Sequence, residues 1–354
     1  MEGLFNCESQ SESGSQFVKG SSCEDLELVK RLGQGHMSTV FLAVHRGTNK
    51  AFAVKVMNKE LLQQRKAYKL AATEKEILSC LDHPFLPSLL THFESDTHTF
   101  LAMEYCSGGD INVLRHRQPS KTFSESTIRF YAAEVVVALE YLHEKGILYR
   151  DLKPENILVQ DSGHIMLTDF DQSLRLISDH GEYSEWKSRS FVGTEEYIAP
   201  EVLWGKFHSY PVDWWSFGVF LYEMSHGRTP FRGFSRKDTF VNILSKDPFF
   251  SSSSPLDDLI QKLLAKEPTE RLSRKQIKSH PFFRGMRWEQ LQFVSRPPFV
   301  PPFSPEPALS FHRENEEEEE EEEEADMDIK SDGYSSVECE IKEDNTSKFI
   351  FGEF

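Results

Sequence analysis

The sequence predicts an α+β fold in two lobes: a small β-rich lobe with one key helix, a larger mainly helical lobe, and then an extended C-terminal tail. Three observations carry this. Strand-like patterning runs from Leu26 to Met57, helical spacing dominates after Gly108-Gly109, and the composition changes after Arg284. With 354 residues the chain is long enough for two cored lobes plus tails.

Each element has its own signal. Residues 1–25, rich in Ser, Glu and Gly, are expected to form a disordered extension. Phe52, Val54 and Val56 alternate with Ala51, Ala53, Lys55 and Met57, so the two faces of one strand are separately defined. Leu70, Ala71, Glu74, Ile77, Leu78 and Leu81 stand near helical spacing and predict a helix over 67–81. Segments 125–145, 212–227, 237–246 and 255–265 predict the helices of the larger lobe. Pro297-Pro298 and Pro301-Pro302 read as a stiff, extended strap. Glu316 to Glu324 is an unbroken run of nine glutamates, which repel one another and favour a solvated spacer. The last residues, Phe349 to Phe354, are apolar again and call for a groove to bury their rings.

The formal charge of −17 belongs to the tail. Residues 305–354 hold 19 acidic and 4 basic side chains, a net of −15, leaving 38 acidic and 36 basic before them, a net of −2. No strongly basic face is implied, which argues against a nucleic-acid partner. The five cysteines (Cys7, Cys23, Cys80, Cys106 and Cys339) are scattered and lack metal-ligand spacing, as expected of reduced thiols in an intracellular protein. No apolar run approaches the roughly 20 residues of a spanning helix. A monomer in cytoplasm or nucleus is expected, with peripheral contact at the plasma membrane compatible with that and no integral membrane contact.

The chemistry centres on residues 149–156, Tyr-Arg-Asp-Leu-Lys-Pro-Glu-Asn, followed eighteen positions after Asp151 by Asp169-Phe170-Asp171. Asp151 can accept a hydroxyl proton and Lys153 can neutralise a phosphate. Asn156 with Asp169 can hold Mg²⁺ against nucleotide oxygens. Upstream, Gly33-x-Gly35-x-x-Ser38-x-Val40 lies between strand-like segments, where glycines let backbone amides approach phosphates. Phe52-Ala53-Val54-Lys55 follows, and Glu74 on the next helix stands nineteen residues beyond Lys55, placed to pair with it.

In these motifs the chain resembles a eukaryotic protein kinase over residues 26–283, with lobes at 26–105 and 106–283 and a tail over 284–354. The resemblance implies a bilobal protein-kinase fold. It also implies ATP held by Leu32, Gly33, Gly35, Val40, Ala53 and Lys55, with Glu104 and Cys106 at the adenine hinge beside Met103 and Leu158 as the pocket floor. Asp-Phe-Asp in place of Asp-Phe-Gly, with Ser190-Phe-Val-Gly-Thr-Glu-Glu-Tyr-Ile-Ala-Pro-Glu201, is similar to the plant AGC VIII kinases. The short stretch between Asp171 and Ser190 and the acidic tail point to the UNICORN-like branch.

That group implies several further expectations. Ser190 takes an activating phosphate, which Arg150 pairs with, and Thr194 faces the substrate. Asp110, Glu155 and Glu223 receive basic residues upstream of the acceptor hydroxyl, favouring Arg through bidentate pairing. Arg271 partners Glu201. Phe351 and Phe354 form a hydrophobic motif that docks beside the helix of Glu74 and recruits the phosphoinositide-dependent kinase. Where many relatives carry a phosphorylatable residue after the second aromatic, this sequence stops, and its terminal carboxylate is expected to stand in. Two positions depart from the family pattern. Ser38 replaces the third glycine of the loop, and Asp171 takes a glycine position, where aspartate tolerates unusual torsions. The leading expectation is an ATP-dependent serine/threonine protein kinase; the alternative, favoured only by Ser38 and Asp171, is a pseudokinase scaffold acting through docking surfaces and its acidic tail.

Overall fold

The strands of the first lobe follow from its alternating apolar residues. In the computed structural model, which describes residues 7–10, 25–35, 37–176, 193–206, 209–251, 253–294 and 297–299, the chain opens with β1 (Cys7–Gln10), β2 (Leu26–Gln34), β3 (Ser38–His45) and β4 (Ala51–Asn58). Then come α1 (Lys59–Gln64), α2 (Tyr68–Ser79), β5 (Leu89–Ser95) and β6 (His98–Glu104). The six strands form one antiparallel sheet in the order β1-β5-β6-β4-β3-β2. All described residues lie within one compact unit, Met1–Pro307.

The two faces of β4 separate as the alternation requires. Phe52 and Val54 join Ala43, Phe93 and Phe100 in an outer cluster, while Met57 joins the larger core shared with α2 and the helical lobe. Register places Lys55 opposite Val40 on β3 and Leu101 on β6. The N-terminal extension read as disordered is corrected at one place: β1 pairs with β5 on the sheet's edge. An edge strand presents a row of unpaired amide and carbonyl groups, and a short extended segment satisfies them whatever its composition.

The second lobe holds α3 (Ile111–His116), α4 (Glu125–Glu144) and the short strands β7 (Ile147–Leu148), β8 (Ile157–Val159), β9 (Ile165–Leu167) and β10 (Leu174–Arg175). It continues with α5 (Pro200–Leu203), α6 (Pro211–His226), α7 (Arg236–Ser245), α8 (Pro255–Leu263) and α9 (Arg274–Lys278). Serine starts several of these helices: Ser124, Ser235 and Ser254 each accept a backbone N–H of the first turn. Ser254 and Asp257 form a reciprocal capping box. Gly227 ends α6 in the left-handed conformation, φ 72°.

The helix α6 is apolar around its circumference and is the buried axis of this lobe. Gly218 lets α8 approach, since a Cβ there would stand 2.9 Å from Leu263 Cβ and Leu264 Cδ2. No described helix is long and apolar enough to cross a membrane.

One buried ion pair ties this lobe together. Arg271 donates to both Glu201 oxygens, at 2.6 Å each, and to the carbonyls of Ala265, Lys266 and Pro211. Both side chains are almost wholly excluded from solvent, so removing one strands the other charge. Arg271→Ala should therefore lower unfolding free energy by about 3–5 kcal/mol, read as a fall in the urea midpoint with an unchanged slope. A loss under about 1 kcal/mol would place the pair among weak surface bridges.

Candidate active site

The site is built where β4, α2, the loop before β8 and the loop after β9 converge. Lys55 is buried, and its Nζ donates to Glu74 Oε1 at 2.6 Å and to Asp169 Oδ1 at 2.9 Å. Burial works against the ammonium, but Glu74, Asp169 and Asp171 together outweigh it and raise its pKa. Burial likewise pushes the Glu74 carboxyl upward against the pull of Lys55, yet with an ammonium at 2.6 Å the pair is ionised. Glu74 also accepts the Phe170 amide, which couples α2 to the Asp-Phe-Asp segment.

Asp169 is opposed by its own burial, but Lys55 dominates in sum and holds it below the usual carboxylate range. The residue sits in the left-handed region at φ 59°. The unusual torsion expected at Asp171 therefore falls two residues earlier, because Asp169 must turn back toward Lys55 while Phe170 enters the core, 1% exposed. Asp171 is pushed up to about 6, first by burial and then by the Asp169 charge.

The loop before β8 makes a second knot. Asp151 Oδ2 accepts from Lys153 Nζ at 2.8 Å and Asn156 Nδ2 at 2.8 Å, and its Oδ1 accepts from Thr194 at 3.2 Å. Lys153 also donates to Thr194 Oγ1 at 3.1 Å. Asn156 spends its amide nitrogen on Asp151, including the backbone carbonyl at 2.9 Å, which leaves its oxygen as the available donor for a cation. A hydroxyl-bearing substrate beside Asp151 would meet a carboxylate able to take its proton and an ammonium able to meet the transferred charge.

The remaining predicted residues fall around this centre. Gly33 pairs with Val40 in the β2–β3 ladder, and a Cβ on Gly33 would meet nothing within 4 Å. Gly35 donates to the Ser38 carbonyl at 2.8 Å, which closes the turn. Leu32 is exposed, Val40 and Ala53 are half-buried, and Ala53 lies opposite Met103. Glu104 ends β6, with its carboxylate accepting the Ser88 amide at 2.7 Å, and Cys106 is buried with Sγ 3.6 Å from Met166 Sδ. Leu158 is half-buried and in register with Met166 across the β8–β9 pair. Ser190, Phe351 and Phe354 lie outside the described residues.

Asp110, Glu155 and Glu223 share one electrostatic neighbourhood. Burial comes first in raising the Glu155 pKa, and Glu223 and Asp110 add to it. Glu223 already has internal partners: Arg115 donates to one oxygen at 3.0 Å and the Tyr197 hydroxyl to the other at 2.5 Å. A half-buried carboxylate on an apolar helix needs internal partners, and Arg115 of α3, 108 residues away in sequence, supplies one. Asp110 caps α3 by accepting the Val113 amide at 2.8 Å.

Sequence reasoning passed over the residues that hold the loop. Asp213, wholly buried on α6, accepts the amides of Tyr149 at 3.1 Å and Arg150 at 2.8 Å and contacts His143 at 2.7 Å. It thereby fixes Arg150 in a left-handed torsion, φ 70°. Tyr149 donates its hydroxyl to the Thr168 carbonyl and packs edge-on against Phe170. The available signal was an acid in the first turn of an otherwise apolar helix, which requires partners elsewhere.

The buried pairing of Lys55 makes its replacement costly. Lys55→Met leaves Glu74 desolvated beside Asp169 without a cation. Its carboxyl pKa then rises further above the unfolded value, so stability is retained at low pH and lost as pH climbs through the folded value. Lys55→Met should unfold about 3–5 kcal/mol more easily than wild type at pH 7.5, with the gap narrowing at pH 5. Urea melts at both pH values test this, and a deficit independent of pH would rule out the stranded carboxylate.

The comparisons agree with this geometry. Residues 26–283 match the family model described as protein kinase domain. The serine/threonine-protein kinase AGC1-5 of Arabidopsis thaliana is 42% identical over 78% of this chain and 60% of its own length. Serine/threonine-protein kinase RHS3 of the same plant is 42% identical over 80% of this chain and 69% of its own. Protein kinase PVPK-1 of Phaseolus vulgaris is 41% identical over 77% and 58%. The chain thus spans about three fifths of the length of two of these relatives.

A protein kinase domain implies ATP and a divalent cation, and the donors here fit both: hard carboxylate oxygens converge, and Asp171 Oδ1 is buried with no hydrogen-bond partner. With its domain matched end to end and its relatives bearing kinase names, the chain belongs to the protein kinase family, among the plant AGC kinases.

Proposed function

We propose that the chain is an active serine/threonine protein kinase that transfers the γ-phosphoryl group of Mg-ATP to protein hydroxyls in a basic sequence context. The observation that carries this is the pair of neighbouring knots, Glu74–Lys55–Asp169 and Lys153–Asp151–Asn156 with Thr194, whose Asp169 and Asp151 oxygens lie within 4.8 Å. Lys55 would orient the phosphates, Asp151 would accept the hydroxyl proton, and Lys153 would meet the charge on the transferred group. Asn156 and Asp169 would hold the cation, which screens phosphate oxygens when bound. The scaffold alternative rested on Ser38 and Asp171, and the ion pairs of Lys55 and Lys153 weigh against it.

Acceptance of arginine upstream of the hydroxyl rests on Glu155, with Asp110 and Glu223 contributing field. Because Arg115 and Tyr197 already hold Glu223, Glu155 is the carboxylate with capacity to spare. A peptide panel tests both roles at once. Asp151→Asn should lose transfer on every peptide by at least about a hundredfold while still binding ATP. Glu155→Gln should lose only the preference for arginine-bearing peptides. Wild-type rates in Asp151→Asn would remove that residue from the proton-transfer step.

Regulation follows from the two ends of the activation machinery. A phosphate on Ser190 would pair with Arg150, beside Asp151, and order the segment. The tail over 284–354, with its acidic run at 316–324 and hydrophobic motif at 349–354, would dock Phe351 and Phe354 near α2 and recruit the phosphoinositide-dependent kinase. Burying two phenylalanines is worth on the order of 3–5 kcal/mol before ordering costs. Phe351→Ala with Phe354→Ala should therefore reduce both Ser190 phosphorylation by that kinase and basal activity, whereas Ser190→Ala should lower activity and leave binding intact. A pull-down in which the double variant binds the upstream kinase fully would refute the docking role.

A further inference from the structure

We propose that Asp171 is a further ligand of the divalent cation, joining Asp169 and Asn156 next to the proton acceptor Asp151, so that this site holds a cation more tightly than one with glycine at that position. The inference rests on the kinase reading of the site and extends it to a residue that the kinase motif leaves as glycine.

The first observation is position. One carboxylate oxygen each from Asp151, Asp169 and Asp171 lie within 4.8 Å of one another. Opposite ligands of an octahedral Mg²⁺ stand about 4 Å apart, so small side-chain rotations bring Asp169 and Asp171 onto one ion beside Asp151. The second observation is independent of the cluster. Asp171 Oδ1 is withdrawn from solvent and has no hydrogen-bond partner. A buried oxygen of an acid calls for a cation or a donor, and no hydrogen bond from Lys55 or Lys153 reaches it among the described residues.

The charge count points the same way. Among the described residues, Glu74, Asp151, Asp169 and Asp171 make ion pairs with Lys55 and Lys153 alone. Both ammoniums are committed, Lys55 to Glu74 and Asp169 and Lys153 to Asp151. Four carboxylates against two ammoniums leave an excess that a divalent cation cancels. Backbone geometry offers no competing reason for aspartate here, because the left-handed torsion belongs to Asp169 and not to Asp171. The main-chain amide of Asp171 donates to Asp169, which any residue at this position could do.

Hard cations gain affinity with the number of charged oxygens around them. The full chain should therefore bind Mn²⁺, a paramagnetic substitute for Mg²⁺, at one saturable site, and Asp171→Asn, which keeps the shape and removes the charge, should weaken it. The experiment titrates Mn²⁺ by electron paramagnetic resonance with and without saturating ADP in wild type, Asp171→Asn, Asp171→Gly and Asp169→Asn. Both Asp171 variants should bind about tenfold more weakly than wild type in both conditions. In EDTA they should melt at or above the wild-type temperature, since a like charge has gone, and Mn²⁺ should raise that temperature less than it does in wild type. Equal Mn²⁺ affinity in wild type and Asp171→Asn overturns the proposal. If that equality appears while Asp169→Asn loses the ion, the proposal fails and the kinase reading stands. If Asp169→Asn also binds normally, the cation-centre reading of the site falls with it.

Discussion

A single buried ammonium organises the catalytic half of this protein. Lys55 reaches from the central strand β4 to Glu74 on α2 and to Asp169 after β9, so three separate segments share one charge. In a low-dielectric interior none of the three can move away without leaving an uncompensated ion, which is costly. The contact then propagates. Glu74 takes the Phe170 amide, Phe170 packs against Tyr149, and Tyr149 hangs from Asp213 on α6. A chain of polar and aromatic contacts thus runs from the sheet to the buried axis of the helical lobe, and the site lies along it.

The helical lobe meets the same constraint differently. Asp213 and Glu201 are acids placed where water cannot reach, and each is satisfied by several donors: backbone amides for one, a bidentate guanidinium for the other. Such fully paired groups specify one arrangement, since any slip unpairs them. The result is a rigid platform for a loop that carries an unusual torsion at Arg150. Strain at that residue is held by the Asp213 contact on its amide.

Charge at the site itself is unbalanced. Lys55, Lys153 and Thr194 neutralise or cap some oxygens, but Asp171 keeps a buried one with no hydrogen-bond partner among the described residues. The opposing pulls on Asp169 and Asp171, one carboxyl lowered and its neighbour raised, show two acids too close to be equivalent. Only the nearer one shares Lys55.

Much of this was legible in the residues alone. The alternation around Lys55 separated the two faces of β4, and helical spacing found α2, α4, α6, α7 and α8 to within a residue or two, because those signals are local and periodic. The Lys55–Glu74 ion pair was anticipated from the nineteen-residue spacing that the resemblance to protein kinases implies, not from a local period. What escaped was set by distant partners. Nothing near Glu223 announces that Arg115 and Tyr197 consume it, nothing near Asp213 announces three donors, and nothing in residues 7–10 announces an open sheet edge beside them. The torsion assigned to Asp171 belongs to Asp169 because Lys55, more than a hundred residues away in sequence, pulls that carboxylate back. The sequence by itself determined which elements form and which chemical groups they carry, since periodicity and residue type are properties of neighbours. Only the tertiary structure decided which of those groups are already paired and which stand ready for a ligand, because pairing depends on segments that meet in space alone.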